Sequence, residues 1–272
     1  MTIGIILLLI LAVLVILVLG DVIVETRFPK IADVEVTCKG LSGGQELRIL
    51  QVTDLHNMHL NDRFLERLIA TLPDLVAITG DLINGQEADF HRVYRVIEKL
   101  RAACPHLYFV SGNNDWEHRR YRELAEGLRA RDVHVLCNRS VELTIRGMEM
   151  IIVGVDDPHT KRDRLGEAFQ GVERGGRFAL LLAHDPMIIR KSQAFQADLI
   201  LAGHTHGGQV RFPFVGAVVA PGQGYFPKYD KGTFHLPEGT VMHIDSGLGT
   251  SGIPVRFLNR SQVSVLQVKG EA

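Results

Sequence analysis

Residues 47–56 read LRILQVTDLH, an apolar strand that ends in an aspartate and a histidine. Two later segments repeat this arrangement, DLVAITGD at 74–81 and LYFVSGNND at 107–115. Continuous apolar runs are typical of strands that are buried on both faces of a parallel sheet. Amphipathic segments separate the three runs, so the alternation of strand and helix predicts an α/β fold with helices covering the sheet.

The remaining elements extend this pattern in both directions. Helices are predicted at 61–72, 87–103 and 116–131, and a short edge strand at 33–38 precedes the first buried strand. Further strands follow more closely together, at 133–137, 141–146, 148–155, 178–184 and 198–204, with short helices near 163–170 and 186–195. The last 65 residues are rich in Gly and Pro and predict antiparallel strands with long loops. We expect two packed sheets with helices outside, in one domain from about residue 33 to 269.

The N-terminus carries an uncharged aliphatic run, residues 3–20. As a helix these 18 residues reach roughly 27 Å, close to the ~30 Å of a bilayer core. We predict a transmembrane anchor over 1–20, a tether over 21–32 and a catalytic domain over 33–272. A cleaved signal peptide and a buried core helix are the alternatives, although the run has neither a basic segment before it nor an A-x-A pattern after it.

The positive charges near the anchor predict its orientation. Arg27, Lys30 and Lys39 all follow the apolar run, and none precedes it. Because positive residues accumulate on the cytoplasmic side of membrane helices, we expect a single-pass protein of the inner membrane with a cytoplasmic catalytic domain.

The composition excludes several classes of protein. The 272 residues carry a net charge of −1, and no long single-sign run appears, so no nucleic-acid partner is expected. The three cysteines (Cys38, Cys104 and Cys137) are too few for a disulfide framework or a cysteine-based zinc site. That scarcity favours a reducing compartment.

Metal-binding side chains follow five separate predicted strands. Ligands of open α/β folds collect beyond the carboxyl ends of strands, so these side chains are expected to meet. They are Asp54, His56, Asp81, Asn113, His184, His204 and His206. Carboxylates and imidazoles suit Mn, Fe or Zn. A carboxylate such as Asp81 can bridge two ions about 3.5–4 Å apart, the arrangement of two-metal hydrolases.

In this order and spacing the blocks resemble the calcineurin-like metallophosphoesterases. The matching blocks are D-x-H at 54–56, G-D at 80–81, G-N-x-D at 112–115, His184, and G-H-x-H at 203–206. The tail GLGTSGIPVRF (247–257), together with GHTHGGQ, is similar to a membrane-associated bacterial branch of that family. The resemblance implies a four-layer αββα sandwich of two mixed sheets flanked by helices.

The resemblance also implies how the ligands are divided between two divalent ions. One ion would be held by Asp54, His56, Asp81 and His206, and the other by Asp81, Asn113, His184 and His204. In the same way it predicts catalytic roles for Asn114 and Asp115.

The chain departs from the family pattern at Asn114. A histidine usually stands there, with a role in stabilising the phosphoryl transition state or protonating the leaving group. Asparagine can donate a hydrogen bond but cannot supply a proton near neutral pH. A phosphate leaving group needs little protonation, and the UDP-2,3-diacylglucosamine pyrophosphohydrolases of lipid A biosynthesis also lack this histidine.

We therefore expect a two-metal phosphoesterase that hydrolyses a phosphodiester or pyrophosphate bond by attack of a metal-bound hydroxide. Mn²⁺ is the expected ion, with Fe or Zn as alternatives. The expected partners are the lipid bilayer and a phosphorylated, lipid-linked small molecule such as UDP-2,3-diacylglucosamine. Two alternatives stay open, namely a phosphodiesterase for other phospholipids or small nucleotides, and a non-catalytic metal-binding scaffold at the membrane.

Overall fold

Two six-stranded mixed sheets form the centre of the molecule in the computed structural model, which describes residues 3–85 and 89–271. In chain order the strands are β1 (Lys30–Cys38), β2 (Glu46–Val52), β3 (Leu75–Ile78), β4 (Leu107–Phe109), β5 (Val133–Val135), β6 (Arg139–Ile145), β7 (Met148–Gly154), β8 (Phe178–Leu182), β9 (Leu199–Ala202), β10 (Arg211–Phe212), β11 (Gly216–Ala217), β12 (Val219–Ala220), β13 (Gly224–Tyr225), β14 (Gly232–His235), β15 (Val241–Ile244) and β16 (Gln262–Gly270).

The helices lie before and outside the sheets. The α-helices are α1 (Ile3–Arg27), α2 (Asp62–Ile69), α3 (His91–Ala103), α4 (Asn113–Glu117), α5 (Tyr121–Arg129) and α6 (Leu165–Ala168). Single turns of 3₁₀ helix occur at Pro186–Arg190, Ser192–Gln196, His206–Gly208 and Pro237–Gly239.

The strand order explains how the ligand-bearing loops meet. The first sheet has the order β1-β16-β2-β3-β4-β5, with β2 to β5 parallel, while β16 runs antiparallel to β2 and parallel to β1. The second has the order β14-β15-β9-β8-β7-β6, with β7, β8, β9 and β15 parallel. The parallel strands of each sheet deliver their following loops to one edge.

Three apolar clusters give the molecule four layers. Leu47 and Ile49 of β2 face the second sheet and pack with Leu180 and Leu182 of β8. The alternate residues of β2 face helices α2, α3 and α5 on the outer side of the first sheet. The second sheet is covered on its outer side by α6 and the 3₁₀ turns. Burial on both faces is the reason that these strands are continuously apolar, and the predicted αββα sandwich is confirmed.

Some predicted elements have different limits. The helix predicted at 116–131 is two helices, α4 and α5, because the chain leaves the helical conformation at His118. The helix predicted at 186–195 is two 3₁₀ turns. The antiparallel prediction for the last 65 residues is wrong in part, because β15 and β16 each have one parallel neighbour. The start predicted for α3, at residue 87, falls outside the described residues.

The N-terminal run forms one helix of 25 residues with a mean hydropathy of 3.5, and none of its hydrophobic window is buried in the protein. Its length of about 37 Å is enough to cross a bilayer. The segment predicted as a tether, 21–32, is mostly regular structure, because α1 continues to Arg27 and β1 begins at Lys30. The helix therefore joins the first sheet with almost no free linker.

We expect the contact between the two sheets to dominate stability. Leu180 is completely buried there, so Leu180→Ala should lower the free energy of unfolding by about 2–5 kcal/mol. Leu72, which is exposed, provides the matched control, and Leu72→Ala should change it by less than about 0.5 kcal/mol. Chemical denaturation of the full-length chain in detergent measures both. Equal effects of the two substitutions would contradict this packing.

Candidate metal centre

Seven side chains from five strand ends converge in one buried cleft. Asp54 and His56 follow β2, Asp81 follows β3, and Asn113 follows β4. The second sheet supplies His184 after β8, and His204 and His206 after β9. Six of these fall into two groups whose potential ligand atoms lie within 4.8 Å of one another, Asp54 with His56 and His206, and Asp81 with His184 and His204.

The first group surrounds one carboxylate oxygen. Asp54 Oδ1 lies 3.4 Å from His206 Nε2 and 3.8 Å from His56 Nε2. The two imidazoles stack with 5.0 Å between ring centroids, and their Nε2 atoms are 3.2 Å apart. Three lone-pair donors thus face one small volume.

The second group shares an oxygen with the first. Asp81 Oδ2 lies 3.3 Å from His184 Nε2 in the second group and 3.7 Å from His56 Nε2 in the first. His204 Nδ1 lies 3.2 Å from His184 Nε2. The position of Asp81 between the groups is the geometry of a carboxylate that bridges two ions.

Unsatisfied polar atoms support metal binding at this cleft. Asp54 Oδ1 and Asn113 Oδ1 are buried, and within the described residues neither has a hydrogen-bond partner. A buried oxygen without a partner is costly unless a cation or water binds it. With only carboxylate, imidazole and amide ligands, the residues present fit two divalent metal ions.

Outer partners fix the orientation of two imidazoles. His56 Nδ1 lies 2.9 Å from Asn84 Oδ1, and His184 Nδ1 lies 2.7 Å from the carbonyl oxygen of Thr79. Each acceptor is placed to hold a ring proton on Nδ1 and leaves Nε2 directed into the cleft. Such partners are a general feature of histidine ligands of metals.

The backbone carries unusual conformations at the same place. The φ angles of Asp54, His56, Asp81, His204 and His206 lie between 45° and 67°, a region that non-glycine residues seldom occupy. Clusters of such residues are typical of functional sites, where surrounding contacts maintain the strain. The glycines of the G-D and G-H-x-H blocks allow the close approach of these loops, since a Cβ at Gly203 would collide with Thr53 and Asp54.

Asp115 organises the loop that carries Asp81. Its carboxylate accepts hydrogen bonds from the backbone N–H groups of Asp81, Leu82, Ile83 and Gly112, at 2.8–3.3 Å. Because both oxygens are used in this way, these contacts describe a positioning role. A direct catalytic role for Asp115 stays a prediction.

Asn114 points into the cleft. Its side-chain Nδ2 donates to Asp81 Oδ2 at 2.7 Å, and its backbone N–H donates to Asp81 Oδ1 at 2.9 Å. The amide therefore lies beside the oxygen that the two ligand groups share. This position is suited to donating a hydrogen bond to a bound phosphoryl group, and the catalytic role of Asn114 also stays a prediction.

The electrostatics of the cleft favour positive charge at the second group. Burial lowers the pKa of His184, but the neighbouring Asp81 and Asp54 carboxylates outweigh it and raise that pKa well above its ordinary value. Burial and the His184 charge lower the pKa of His204 to about 3, and burial and His56 lower the pKa of His206. His204 and His206 are thus held as neutral imidazoles, the form that binds metal.

Two further side chains at the cleft were given no role from the sequence. His159 and Asp185 form a third group of potential ligands with His204, and the His159 and His204 rings are 5.4 Å apart. His159 is exposed and lies at the rim of the cleft. Asp185 directly follows His184, and that adjacency was the available signal.

Two cavities of different character adjoin residues of the metal centre. A cavity of about 410 Å³ beside His206 has mainly apolar walls that include Val219, Ala220 and Ile253. Another, of about 490 Å³, begins at His159 and Asp185 and is surrounded by basic side chains. Those side chains are Lys161, Arg164, Arg190 and Lys191.

The fold and the paired ligand groups define a metal-dependent phosphoric ester hydrolase. The family model "Calcineurin-like phosphoesterase" matches residues 47–208, so the chain belongs to that family. The matched range contains all seven predicted ligands, from Asp54 to His206.

Individual relatives agree with this assignment. The protein YpbG of Bacillus subtilis is 30% identical over 85% of this chain and 84% of its own length. The metallophosphoesterase YkoQ of the same organism is 29% identical over 90% of this chain and 92% of its own length. A "Transmembrane protein with metallophosphoesterase domain" from Danio rerio is 27% identical over 89% of this chain and 57% of its own length.

Among solved structures, the 5'-nucleotidase precursor from Thermus thermophilus has a similar fold. The TM-score is 0.50 at 15% identity, over 75% of this chain and 49% of that one. At this identity the likeness concerns the fold alone.

We expect Asp81→Asn to remove the shared ligand. Metal content should fall from about two ions per chain to one or fewer, and kcat/KM should fall by about 100-fold or more, since removal of only an outer partner of a metal ligand already costs about 10–100-fold. Elemental analysis after dialysis and turnover of an aryl phosphodiester measure the two effects. Asp132→Asn, at an exposed carboxylate, is the control, and two ions retained in Asp81→Asn would contradict the bridging role.

Proposed function

We propose that this chain hydrolyses a phosphodiester or pyrophosphate bond of a lipid-linked molecule at the surface of the inner membrane. One observation carries the proposal, namely that His206 of the first ligand group lines an apolar cavity, while His159 and Asp185, which lie beside His204 of the second group, line a cavity with several basic side chains. A lipid-linked phosphate ester has an apolar part and an anionic part on either side of the scissile phosphorus. The apolar helix α1 supports a membrane location for such a substrate.

Two divalent ions, when bound, lower the pKa of a water molecule and neutralise the charge on phosphoryl oxygens. The residues of the chain supply the positioning. Asp81 sets the separation of the two groups, while Asn84 and Thr79 orient His56 and His184. Asn114 donates a hydrogen bond toward the phosphoryl group, and the basic side chains beside His159 bind the remaining anionic part of the substrate.

The absence of a proton donor at position 114 favours substrates whose leaving group is already stable as an anion. A nucleoside monophosphate leaves easily from a pyrophosphate because its charge is delocalised over phosphate oxygens. UDP-2,3-diacylglucosamine combines this leaving group with two acyl chains, and it is the particular substrate that we propose. We further propose Mn²⁺ as the ion and a cytoplasmic catalytic domain, since Arg27, Lys30 and Lys39 follow the apolar run of α1.

A turnover screen of the full-length, Mn²⁺-loaded protein in mixed micelles tests the proposal. The substrates are UDP-2,3-diacylglucosamine, a phospholipid diester, bis(p-nitrophenyl) phosphate, p-nitrophenyl phosphate and a cyclic nucleotide. We expect EDTA-sensitive release of UMP from the first, abolished by His204→Ala. Activity confined to the soluble monoester would overturn the lipid-linked substrate, and no metal-dependent turnover of any compound would favour the non-catalytic scaffold.

Restoring a histidine tests the role of Asn114. General acid help contributes about 10²–10⁴-fold when the leaving group is poor. Asn114→His should therefore raise turnover of alkyl phosphodiesters and leave that of p-nitrophenyl diesters within a few-fold of the original. The dependence of kcat/KM on the pKa of the leaving group measures this as a shallower slope in the variant. An unchanged slope would contradict the assignment.

A further inference from the structure

The end of helix α1 is fixed to the catalytic domain by one segment, residues 256–261. The backbone N–H of Leu258 donates to Asp21 Oδ2 at 3.2 Å, and that of Arg256 donates to Thr26 Oγ1 at 2.8 Å. The N–H of Ser261 donates to the carbonyl oxygen of Glu25 at 2.8 Å. The domain is therefore held at a defined position along the helix.

That position coincides with the edge of the bilayer. Asp21 is the first charged residue after the apolar run, and charged side chains are strongly disfavoured inside the hydrocarbon layer. The polar interface of the membrane therefore lies near Asp21. Leu258 is hydrogen-bonded to Asp21, so it lies at the same depth.

Exposed apolar side chains surround Leu258. Phe212, at the end of β10, and Phe214 and Val215, on the turn that follows it, line one shallow depression together with Leu258. All four are exposed, Phe214 completely. We call these four residues the apolar rim. The turn is joined to the segment that holds α1, because the N–H of Arg211 donates to the carbonyl oxygen of Phe257 at 3.0 Å.

The exposed apolar side chains are concentrated in a few segments of the chain. Outside α1, ten large apolar side chains are exposed among the described residues. Nine of the ten lie in Phe28, residues 212–226 and residues 253–258, and the tenth is Leu72. Leu72 lies before β3, at the opposite end of the strand from Asp81. A contiguous exposed apolar surface marks an interaction site in a soluble domain.

The chain segments that carry the rim lead into the walls of the apolar cavity beside His206. Gln209 lies in the cavity wall, three residues before Phe212. The side-chain amide of Gln209 donates a hydrogen bond to the carbonyl oxygen of Ser251 and accepts one from its backbone N–H, both at 2.9 Å. These bonds connect the segments on either side of the cavity, since Ser251 also lines it. Val219 and Ile253, which are exposed, lie at the mouth of the cavity.

We infer that the apolar rim inserts into the interface of the bilayer that α1 crosses, and that a lipid substrate passes from the membrane into the cavity beside His206. The insertion itself depends only on the bilayer, whereas the passage of substrate rests on the proposed function. Amphipathic surfaces bind at the boundary between headgroups and acyl chains in proportion to the apolar area that they bury.

Fluorescence quenching in vesicles tests the insertion. The full-length chain is reconstituted in phosphatidylcholine–phosphatidylglycerol vesicles with brominated acyl chains, as Phe214→Trp or as Leu72→Trp. Both positions are exposed, and both have positive φ angles, so the two variants are matched. Trp116 is common to both and its signal is subtracted. We expect a blue-shifted, several-fold more strongly quenched emission for Phe214→Trp.

Equal quenching of the two variants would overturn the insertion. A blue shift without quenching by bromine would also overturn it, because it would show that the side chain is covered by protein, such as a second copy of the chain, and not by lipid. If the emission of the Phe214→Trp variant is quenched while no lipid substrate is hydrolysed, the insertion of the rim is confirmed and the proposed lipid-linked substrate is wrong. Quenching and hydrolysis, measured on the same vesicles, therefore test the insertion of the rim and the lipid-linked substrate separately.

Kinetics test the delivery of substrate. The double variant Phe212→Glu/Phe214→Glu should lower kcat/KM for a vesicle-borne lipid diester by about tenfold or more, because negative charge opposes insertion. Turnover of soluble bis(p-nitrophenyl) phosphate should stay within about twofold, and Leu72→Glu should affect neither substrate. A parallel loss on both substrates in a variant that retains its metal content would overturn the delivery, since the loss would then be independent of the membrane.

Discussion

The buried carboxylate of Asp81 is the constraint on which the rest of the structure depends. A carboxylate without water is tolerated only where positive charge or several hydrogen bonds surround it. Asp81 accepts hydrogen bonds from the backbone N–H and the side-chain amide of Asn114. Its Oδ2 also faces the imidazoles of His56 from the first sheet and His184 from the second. The loops that follow the strands of both sheets therefore have to meet at this carboxylate, and they take up backbone conformations that isolated chains avoid.

Much of this arrangement was predictable from the sequence. The apolar runs of β2, β3, β8 and β9 have no alternation because both faces are buried, and each ends directly at a predicted ligand. Local sequence was therefore sufficient to place the seven side chains at strand ends, and the order of the blocks was sufficient to indicate the family. The division of the ligands between two ions is implied by the resemblance and stays a prediction, and the structure brings together Asp54 with His56 and His206, and Asp81 with His184 and His204.

Other features depended on contacts between distant segments. Asp115 of α4 accepts hydrogen bonds from the backbone of residues 81–83, more than 30 positions earlier, and helical periodicity does not reveal such contacts or the break between α4 and α5. His159 reaches the cleft through a turn after Asp157, whose carboxylate accepts a hydrogen bond from the backbone N–H of Thr160. No regular spacing in the sequence predicts the position of His159. The rigid connection at 21–32 likewise arises from hydrogen bonds to residues more than 200 positions away.

The place of β16 in the first sheet has a consequence for how the protein is made. This strand is the last of that sheet to be synthesised, yet it lies between β1 and β2 and separates them completely. During translation the helix α1 can enter the membrane early. The edges of β1 and β2 that pair with β16 stay unpaired until that strand, about 220 residues downstream, has been synthesised. The metal centre, whose first aspartate follows β2, is thereby completed only after β16 has left the ribosome, when the chain is already attached to its membrane.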